Sequence, residues 1–374
     1  MDIPLNTSTG SRTNPVTPEG KHVLKGLPPE AYTSEDYFRL EQERVFARNW
    51  TFVGFAHELA EAGTAIPVQA AGQPLLLLTN EQGEIGVFHN VCRHRGLQLV
   101  QERCKVEQSL TCPYHAWSYG LDGGLESAPH FGGFRIQEVP GFKRCDFGLK
   151  AVRFHIWKDW IFVNVDGKAP AFEECLASFK AVLEEVEYTR LEPIGKIDLG
   201  EVKANWKLLM ENFIEPYHVP IVHNVTAAGQ PLKDHYTIAK GLCNGAGIDL
   251  ENSKQIQEVS DNLDMSARYL TLFPNFVLGV YLPDQSGVHL NVPVSAGVTR
   301  QYRVLYGING RAYSAEERRK LCELWRAVHK EDHDIVERLQ LGRASSVMND
   351  GGVLSPYWED SVHAFQSLIV KAMA

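Results

Sequence analysis

Two short stretches in the first third of the chain pair a thiol with an imidazole: Cys92-Arg-His94-Arg-Gly96 and Cys112-Pro-Tyr-His115. Between His94 and Cys112 lie 17 residues. Together the two stretches offer two thiolates and two imidazoles, a complete set of four metal ligands. Zinc accepts such a set, although its common pattern places both cysteines before both histidines. A [2Fe–2S] cluster with two thiolates on one iron and two imidazoles on the other needs what one Cys and one His per loop provide. The remaining alternative is two unrelated loops, each with a buried cysteine and a packed histidine.

A second constellation lies in NWKLLMENFIEPYHVPIVH, which carries Asn212, Glu215, His218 and His223. On an ideal helix Glu215 and His218 share a face. His218 and His223 do not, because five residues turn through about 140°. Pro216 and Pro220 disfavour a regular helix here, and a broken segment would let the two imidazoles converge. Non-haem Fe(II) that activates O2 uses two histidines and one carboxylate and keeps other positions open. Asp332 is the candidate carboxylate. It falls on the apolar stripe Leu321, Leu324/Trp325, Val328, Ile335, Leu339 of a predicted helix over Ser314–Gly342. A lone carboxylate facing a core is costly unless paired or metal-bound. The alternative places Asp332 at an unburied edge, or pairs it with Arg338 or a nearby histidine. Glu331 and Asp334 point off the stripe and read as solvated. His235 and His289 read as satisfied surface or core histidines and not as further ligands.

The elements that must position these residues follow from pattern. Ser34–Trp50 predicts a helix with Ser34 as N-cap. From Thr51 to about Val165, short β-rich runs (WTFVGF, PLLLLT, IGVFHNV, FGLKAVRFHI, WIFVNV) alternate with Gly, Pro, Asn and Asp, the pattern of a small all-β domain. Phe172–Val186 reads as an amphipathic helix. Gly195–Ile214 passes from a strand into a second helix. RYLTLF, NFVLGVYL, VHLNVPV and RQYRVLYGI predict strands between Ala267 and Gly307. Ser314 and Glu317 open the long helix with a capping-box pattern.

The chain has 374 residues and a net charge of −9, from 37 Lys+Arg and 46 Asp+Glu. An acidic balance argues against a nucleic-acid binder or a polybasic membrane surface. No apolar run approaches the ~20 residues of a membrane-spanning helix. The first residues, MDIPLNTSTGSRTNPVTPEGK, have no apolar core of a secretory signal and predict a flexible arm. Seven cysteines without framework spacing point to a reducing cytoplasm, with Cys145, Cys175, Cys243 and Cys322 expected as buried apolar residues and Cys104 without a partner. No GxGxxG follows a strand, so this chain is not expected to bind a nicotinamide itself.

HNVCRHRG with CPYHAWSYGLDG resembles the cluster-binding motifs of Rieske non-haem iron oxygenases. Tyr114 stands where the respiratory-chain Rieske proteins carry a disulfide cysteine. NWKLLMENFIEPYHVPIVH and EDHDIVERLQLG are similar to the mononuclear-iron segments of the catalytic, alpha-type subunits. The likeness runs from about Leu27 to the C-terminus. It implies an α+β protein: an N-terminal Rieske all-β [2Fe–2S] domain plus a C-terminal helix-grip (START-like) catalytic domain, in which an antiparallel sheet wraps a long helix. The expected boundaries are an arm at 1–26, a helix packing on the catalytic domain at 27–50, the Rieske domain at 51–165 and the catalytic domain at 166–374.

By the same resemblance, Cys92, His94, Cys112 and His115 bind the cluster, and His218, His223 and Asp332 bind Fe(II). Glu215, with Asn212, takes a catalytic position: the acidic bridge between the iron and a neighbouring subunit's cluster histidine, a route that implies a homotrimer. NAD(P)H acts indirectly, through a separate flavin- or ferredoxin-type reductase, and the partners are O2 and a small molecule. Many family members carry Asp at the bridge. Glu there, followed here by Pro216, is associated with oxygenases of quaternary ammonium compounds such as carnitine and betaines. The implied reaction is hydroxylation or oxidative N-demethylation, with aromatic-ring hydroxylation as the alternative. Two readings from other classes are a pure electron carrier and a zinc-stabilised binding module. Pocket residues are expected from 224–290 and the C-terminal helix, with Phe273, Phe276, Tyr281 and Tyr236 as aromatic candidates.

Overall fold

A computed structural model describes residues 22–184, 186, 188–250, 263 and 265–374. Residues 1–21 of the expected arm lie outside them. The chain divides into two compact units: Phe46–Ala169, and the residues up to Val45 together with Pro170–Ala374.

The smaller unit is built of short antiparallel strands in three sheets. Arg153–Trp157, Trp160–Asn164 and Thr51–Phe55 form one, and Ile85–His89, Gln73–Thr79, Thr64–Ala70 and Cys104–Lys105 form the second. Ser109–Thr111, Ser118–Gly120 and Leu125–Ser127 form the third. The apolar runs read from the sequence fall on the longer strands. Thr64–Ala70 escapes that reading because Pro67 interrupts it, and Pro cannot donate to a ladder. The structure accommodates Pro67 because Cys104–Lys105 pairs only with Thr64 and Ala65, leaving that flank of Pro67 without a ladder partner.

In the larger unit seven antiparallel strands form one sheet. Their order is Glu192–Val202, Val298–Gly307, Gln285–Ser295, Phe276–Tyr281, Ala267–Leu272, Cys243–Ile248, His235–Lys240. The last two escaped the sequence reading; Cys243–Ile248 has a weak strand signal because Gly245 and Gly247 interrupt it. The glycine is needed: a Cβ on Gly245 would stand 2.1 Å from the carbonyl oxygen of Tyr269. The helix Ala315–Arg343 packs on this sheet and starts with the full capping box of Ser314 and Glu317. Leu321, Trp325 and Val328 join Ile197, Tyr281 and Leu305 in one core.

The structure corrects several expectations. Ser34 caps a helix, accepting the Tyr37 N–H at 3.2 Å, but regular α-helix covers only Glu35–Glu41 before a wider turn at Gln42–Phe46. The Phe172 helix ends at Leu183. On the long helix the buried stripe continues to Val336, while Leu339 is 44% exposed. All seven cysteines are free, and only Cys243 of the four expected buried ones is buried: Cys145 is exposed, Cys175 and Cys322 half-buried. Among the described residues no helix is long and apolar enough to cross a membrane.

Candidate metal centres

The two Cys–His loops of the smaller unit close in the same way. In the first, the Gly96 N–H donates to Cys92 O at 2.9 Å and the Cys92 N–H to Leu97 O at 2.8 Å. In the second, Ala116 N–H donates to Cys112 O at 2.9 Å and Cys112 N–H to Trp117 O at 2.8 Å. The residue four after each cysteine adopts a left-handed backbone, Gly96 at φ 78° and Ala116 at φ 58°. Both thiols are thereby turned inward: Cys92 is 3% and Cys112 2% exposed. Burial, and the neighbouring Cys92 thiol, push the Cys112 thiol up. Both imidazoles stay nearer the surface, their ring centroids 4.6 Å apart. Trp117 stacks on His94 at 4.9 Å. Tyr119, which sequence reasoning missed, accepts the Arg93 N–H at 2.9 Å and sets its hydroxyl 3.3 Å from Cys92 Sγ. Its own proton is therefore free to point at that sulfur. Two adjacent buried thiols below two adjacent imidazoles fit a diiron cluster with sulfur ligands on the inner iron and nitrogen ligands on the outer.

The second constellation depends on a helix that stops. Trp206–Ile214 is capped by Asn205, whose side chain accepts the Lys207 N–H at 3.0 Å. At Glu215 the backbone becomes extended, and a one-turn helix resumes at Val219–Val222 with Pro220 in its first turn. His218 and His223 flank that turn as its two caps, with ring centroids 5.2 Å apart. The prolines thus break the helix as the sequence implies. Glu215 meets His218 through this loop and not along a helix face.

His218, His223 and Asp332 present ligand atoms within 4.8 Å of one another. Asp332 Oδ1 lies 3.1 Å from His223 Nε2 and 3.7 Å from His218 Nε2. Both Nδ1 atoms are engaged elsewhere. His218 Nδ1 is 2.5 Å from Glu215 Oε1, and His223 Nδ1 is 2.7 Å from Glu331 Oε2. A carboxylate accepts, so each Nδ1 carries a proton, which leaves Nε2 as the nitrogen that would offer its lone pair to a metal. Glu215 also accepts the backbone N–H groups of Tyr217 and His218. Asn212 Nδ2 donates to Asp332 Oδ1 at 2.9 Å. Burial alone would lower both histidines. Glu215 raises His218, and Asp332 with Glu331 raises His223 to about 9 in the metal-free chain. Asp332 is held below the usual carboxylate range despite burial, chiefly by His223. Two imidazoles and one carboxylate on one side of a cavity fit the donor set of an oxygen-activating Fe(II).

Glu331 corrects the sequence reading. It is half-buried and engaged: besides His223 it accepts the Thr226 hydroxyl at 2.8 Å. Asp334 is exposed and pairs with Lys330 at 3.0 Å.

Residues 181–374 match the family described as ring hydroxylating alpha subunit (catalytic domain), and residues 49–142 match the Rieske [2Fe-2S] domain. The chain belongs to the Rieske ring-hydroxylating oxygenases. It is an oxidoreductase, the terminal oxygenase component, and its cofactors are a Rieske [2Fe–2S] cluster and a mononuclear iron. The oxygenase is 28% identical over 329 residues to the carnitine monooxygenase oxygenase subunit of Escherichia coli strain K12, covering 85% of this chain and 84% of that one. It is 30% identical over 225 residues to the glycine betaine monooxygenase oxygenase subunit of Pseudomonas aeruginosa strain UCBPP-PA14, covering 58% of this chain and 51% of that one. Its fold matches the crystal structure of the quaternary ammonium Rieske monooxygenase CntA with a TM-score of 0.80 at 24% identity, over 94% and 96% of the two chains.

In the oxygenase a cavity opens beside His218, His223 and Asp332, with about 530 Å³ free of protein atoms, the open solvent at its mouth included. Its wall includes Phe213, Tyr269, Tyr281, His289, Arg303 and Trp325. Residues of the 224–290 stretch and of the long helix Ala315–Arg343 line it, as expected; of the aromatic candidates only Tyr281 does, and Phe273, Phe276 and Tyr236 do not. His289 is a satisfied core histidine, 4% exposed, with Nε2 2.7 Å from Arg303. His235 is buried at 1% exposure, but only its Nδ1 is bonded, to Pro231 O at 3.2 Å; Nε2 has no partner. Arg303 escaped the sequence reading. Thr299, Gln301 and Arg303 alternate on the buried face of one strand, where polar residues at that period read from sequence as a solvated face.

Proposed function

We propose that Cys92, His94, Cys112 and His115 hold the cluster, that His218, His223 and Asp332 hold the iron, and that the enzyme oxidatively N-demethylates a quaternary ammonium compound. The observation that carries the iron assignment is the pair of carboxylates, Glu215 and Glu331, that turn both Nε2 atoms toward Asp332. The substrate reading is supported by the named activities of the relatives, by Glu215 at the bridging position, and by a cavity beside the iron ligands with Phe213 and Tyr269 in its wall. An aromatic face attracts an N-methyl cation.

When bound, the iron supplies the oxygen-activating centre and the cluster its store of single electrons. The chain's residues position and orient. Glu215 and Glu331 keep the Nδ1 protons and fix the rings, and Asn212 orients Asp332. In the overall reaction one atom of O2 enters a C–H bond of an N-methyl group. The other leaves as water, consuming two electrons and two protons. The N–CH2OH product then cleaves: the C–N pair returns to nitrogen, formaldehyde leaves, and a proton is released. The electrons come from NAD(P)H through a separate flavin- or ferredoxin-type reductase. We place the enzyme in the cytoplasm, in keeping with its free thiols, and as a homotrimer in which Glu215 bridges toward a neighbour's cluster histidine.

The test is turnover of the loaded enzyme with reductant, O2 and either glycine betaine, carnitine or biphenyl. Formaldehyde from a quaternary ammonium compound is expected. A cis-diol or phenol from biphenyl, with no formaldehyde from the others, overturns the substrate reading in favour of ring hydroxylation. Asp332→Ala should abolish turnover and leave the cluster spectrum intact; full activity in that variant would refute the iron assignment and leave an electron carrier.

A further inference from the structure

Arg303 is a buried cation in the cavity wall, 1% exposed, and every partner it has is neutral. Nη1 lies 2.7 Å from His289 Nε2 and 3.1 Å from His329 Nε2. Both imidazoles are held well below their ordinary pKa, by burial first and then, for His329, by His289 and Arg303, and for His289 by Arg303. They accept as neutral rings. Nη2 donates to the Tyr281 hydroxyl at 3.2 Å. Cζ sits 3.5 Å from the centroid of Trp325. Room for the group comes from Gly287, where a Cβ would stand 2.5 Å from Nη2. Nε has no hydrogen-bond partner.

Among the described residues no carboxylate pairs with this guanidinium. Asp332 is close enough to be felt electrostatically, but its Oδ1 is committed to His223, His218 and Asn212. Arginine does not escape its charge by losing a proton. A buried ion without a counter-ion is costly, by several kcal/mol even after relaxation. Neutral acceptors and one aromatic face offset part of that cost. The orphaned Nε–H shows that the compensation is unfinished, and the group borders the space a substrate fills.

We propose that Arg303 receives an anionic group of the substrate, a carboxylate, so that the enzyme's substrate class is carboxylate-bearing. Guanidinium and carboxylate match as paired N–H···O bonds. The proposal deepens the quaternary ammonium reading and, in that form, rests on it. A bare trimethylammonium compound would meet a fixed positive charge in the cavity, and the Trp325 face that could attract it is already taken by Arg303. A zwitterion places its carboxylate at Arg303 and leaves Phe213 and Tyr269 to its cationic end. Arg303 then selects betaine-like acids over amino alcohols.

The experiment measures equilibrium binding to the holoenzyme, by calorimetry, of two matched pairs: glycine betaine against choline, and benzoate against benzamide. A charge-assisted pair predicts that the acid of at least one pair binds roughly ten- to a hundredfold tighter than its neutral-ended partner. Arg303→Gln should erase that preference, and Gly287→Ala, which displaces the guanidinium while keeping its charge, should weaken it. The wild-type ratio needs no variant and stands even if Arg303→Gln fails to fold. Preference confined to benzoate keeps the Arg303 assignment and sinks the quaternary ammonium reading. Equal or tighter binding of the neutral-ended partners, or no binding of either acid, overturns the proposal, as does a preference that persists unchanged in a folded Arg303→Gln protein.

Discussion

At the scale of single residues, the iron site is organised by groups that do not point at the metal position. Glu331 fixes His223 from the far side of its ring, at 2.7 Å. Loss of such a partner typically lowers metal affinity about 10–100-fold. Glu331→Gln should therefore weaken Fe(II) retention by that factor in a chelator competition while the cluster's visible spectrum is unchanged; unaltered iron affinity would leave Glu331 with no positioning role. The protonation state follows from the same geometry. With His223 raised to about 9, its imidazole in the metal-free chain is protonated at neutral pH. Bound iron needs that Nε2 lone pair, so a proton must leave. Iron uptake should release protons below pH 9 and tighten as pH rises toward that value. An Fe(II) titration in weakly buffered indicator solution reads both effects, and pH-independent uptake would contradict the pairing.

At the scale of elements, the broken helix after Ile214 is the decisive device, because it turns residues that a straight helix would splay apart into two caps of one turn. That much was legible in sequence: two prolines, two histidines and a carboxylate on a later helix face. The Cys–His loops were legible for the same reason, since their ligands are set by spacing within a turn. Glu331, Arg303 and Tyr119 were not. Their roles arise from contacts across 108, 14 and 26 residues of chain, to His223, His289 and Arg93, and no local pattern records which buried neighbour a side chain will meet. The helix Trp206–Ile214 is itself anchored by a fully buried ion pair, Lys207 Nζ to Glu41 Oε1 at 2.7 Å, with Trp206 Nε1 on the other carboxylate oxygen at 3.0 Å. Breaking one partner of such a pair costs about 3–5 kcal/mol, because the other charge stays buried alone. Glu41→Gln should lower the urea midpoint of the larger unit accordingly, and a stability within error of the wild type would show that the pair anchors nothing.

At the scale of the whole molecule, the chain joins two units of different character. One is a set of small sheets whose loops present two thiols and two imidazoles. The other is a seven-stranded sheet with a long helix and a cavity. Each unit carries one ligand set, and oxygenase chemistry needs both: stored single electrons and a centre where O2 and substrate meet. The measurement that bears most directly on this division is iron quantification together with electron paramagnetic resonance of the dithionite-reduced protein, on wild type and on Asp332→Ala. About three irons per wild-type chain and two in the variant are expected, both with the same Rieske signal. Loss of the signal in Asp332→Ala, or an iron content that does not fall, would contradict two separate metal centres built from these residues.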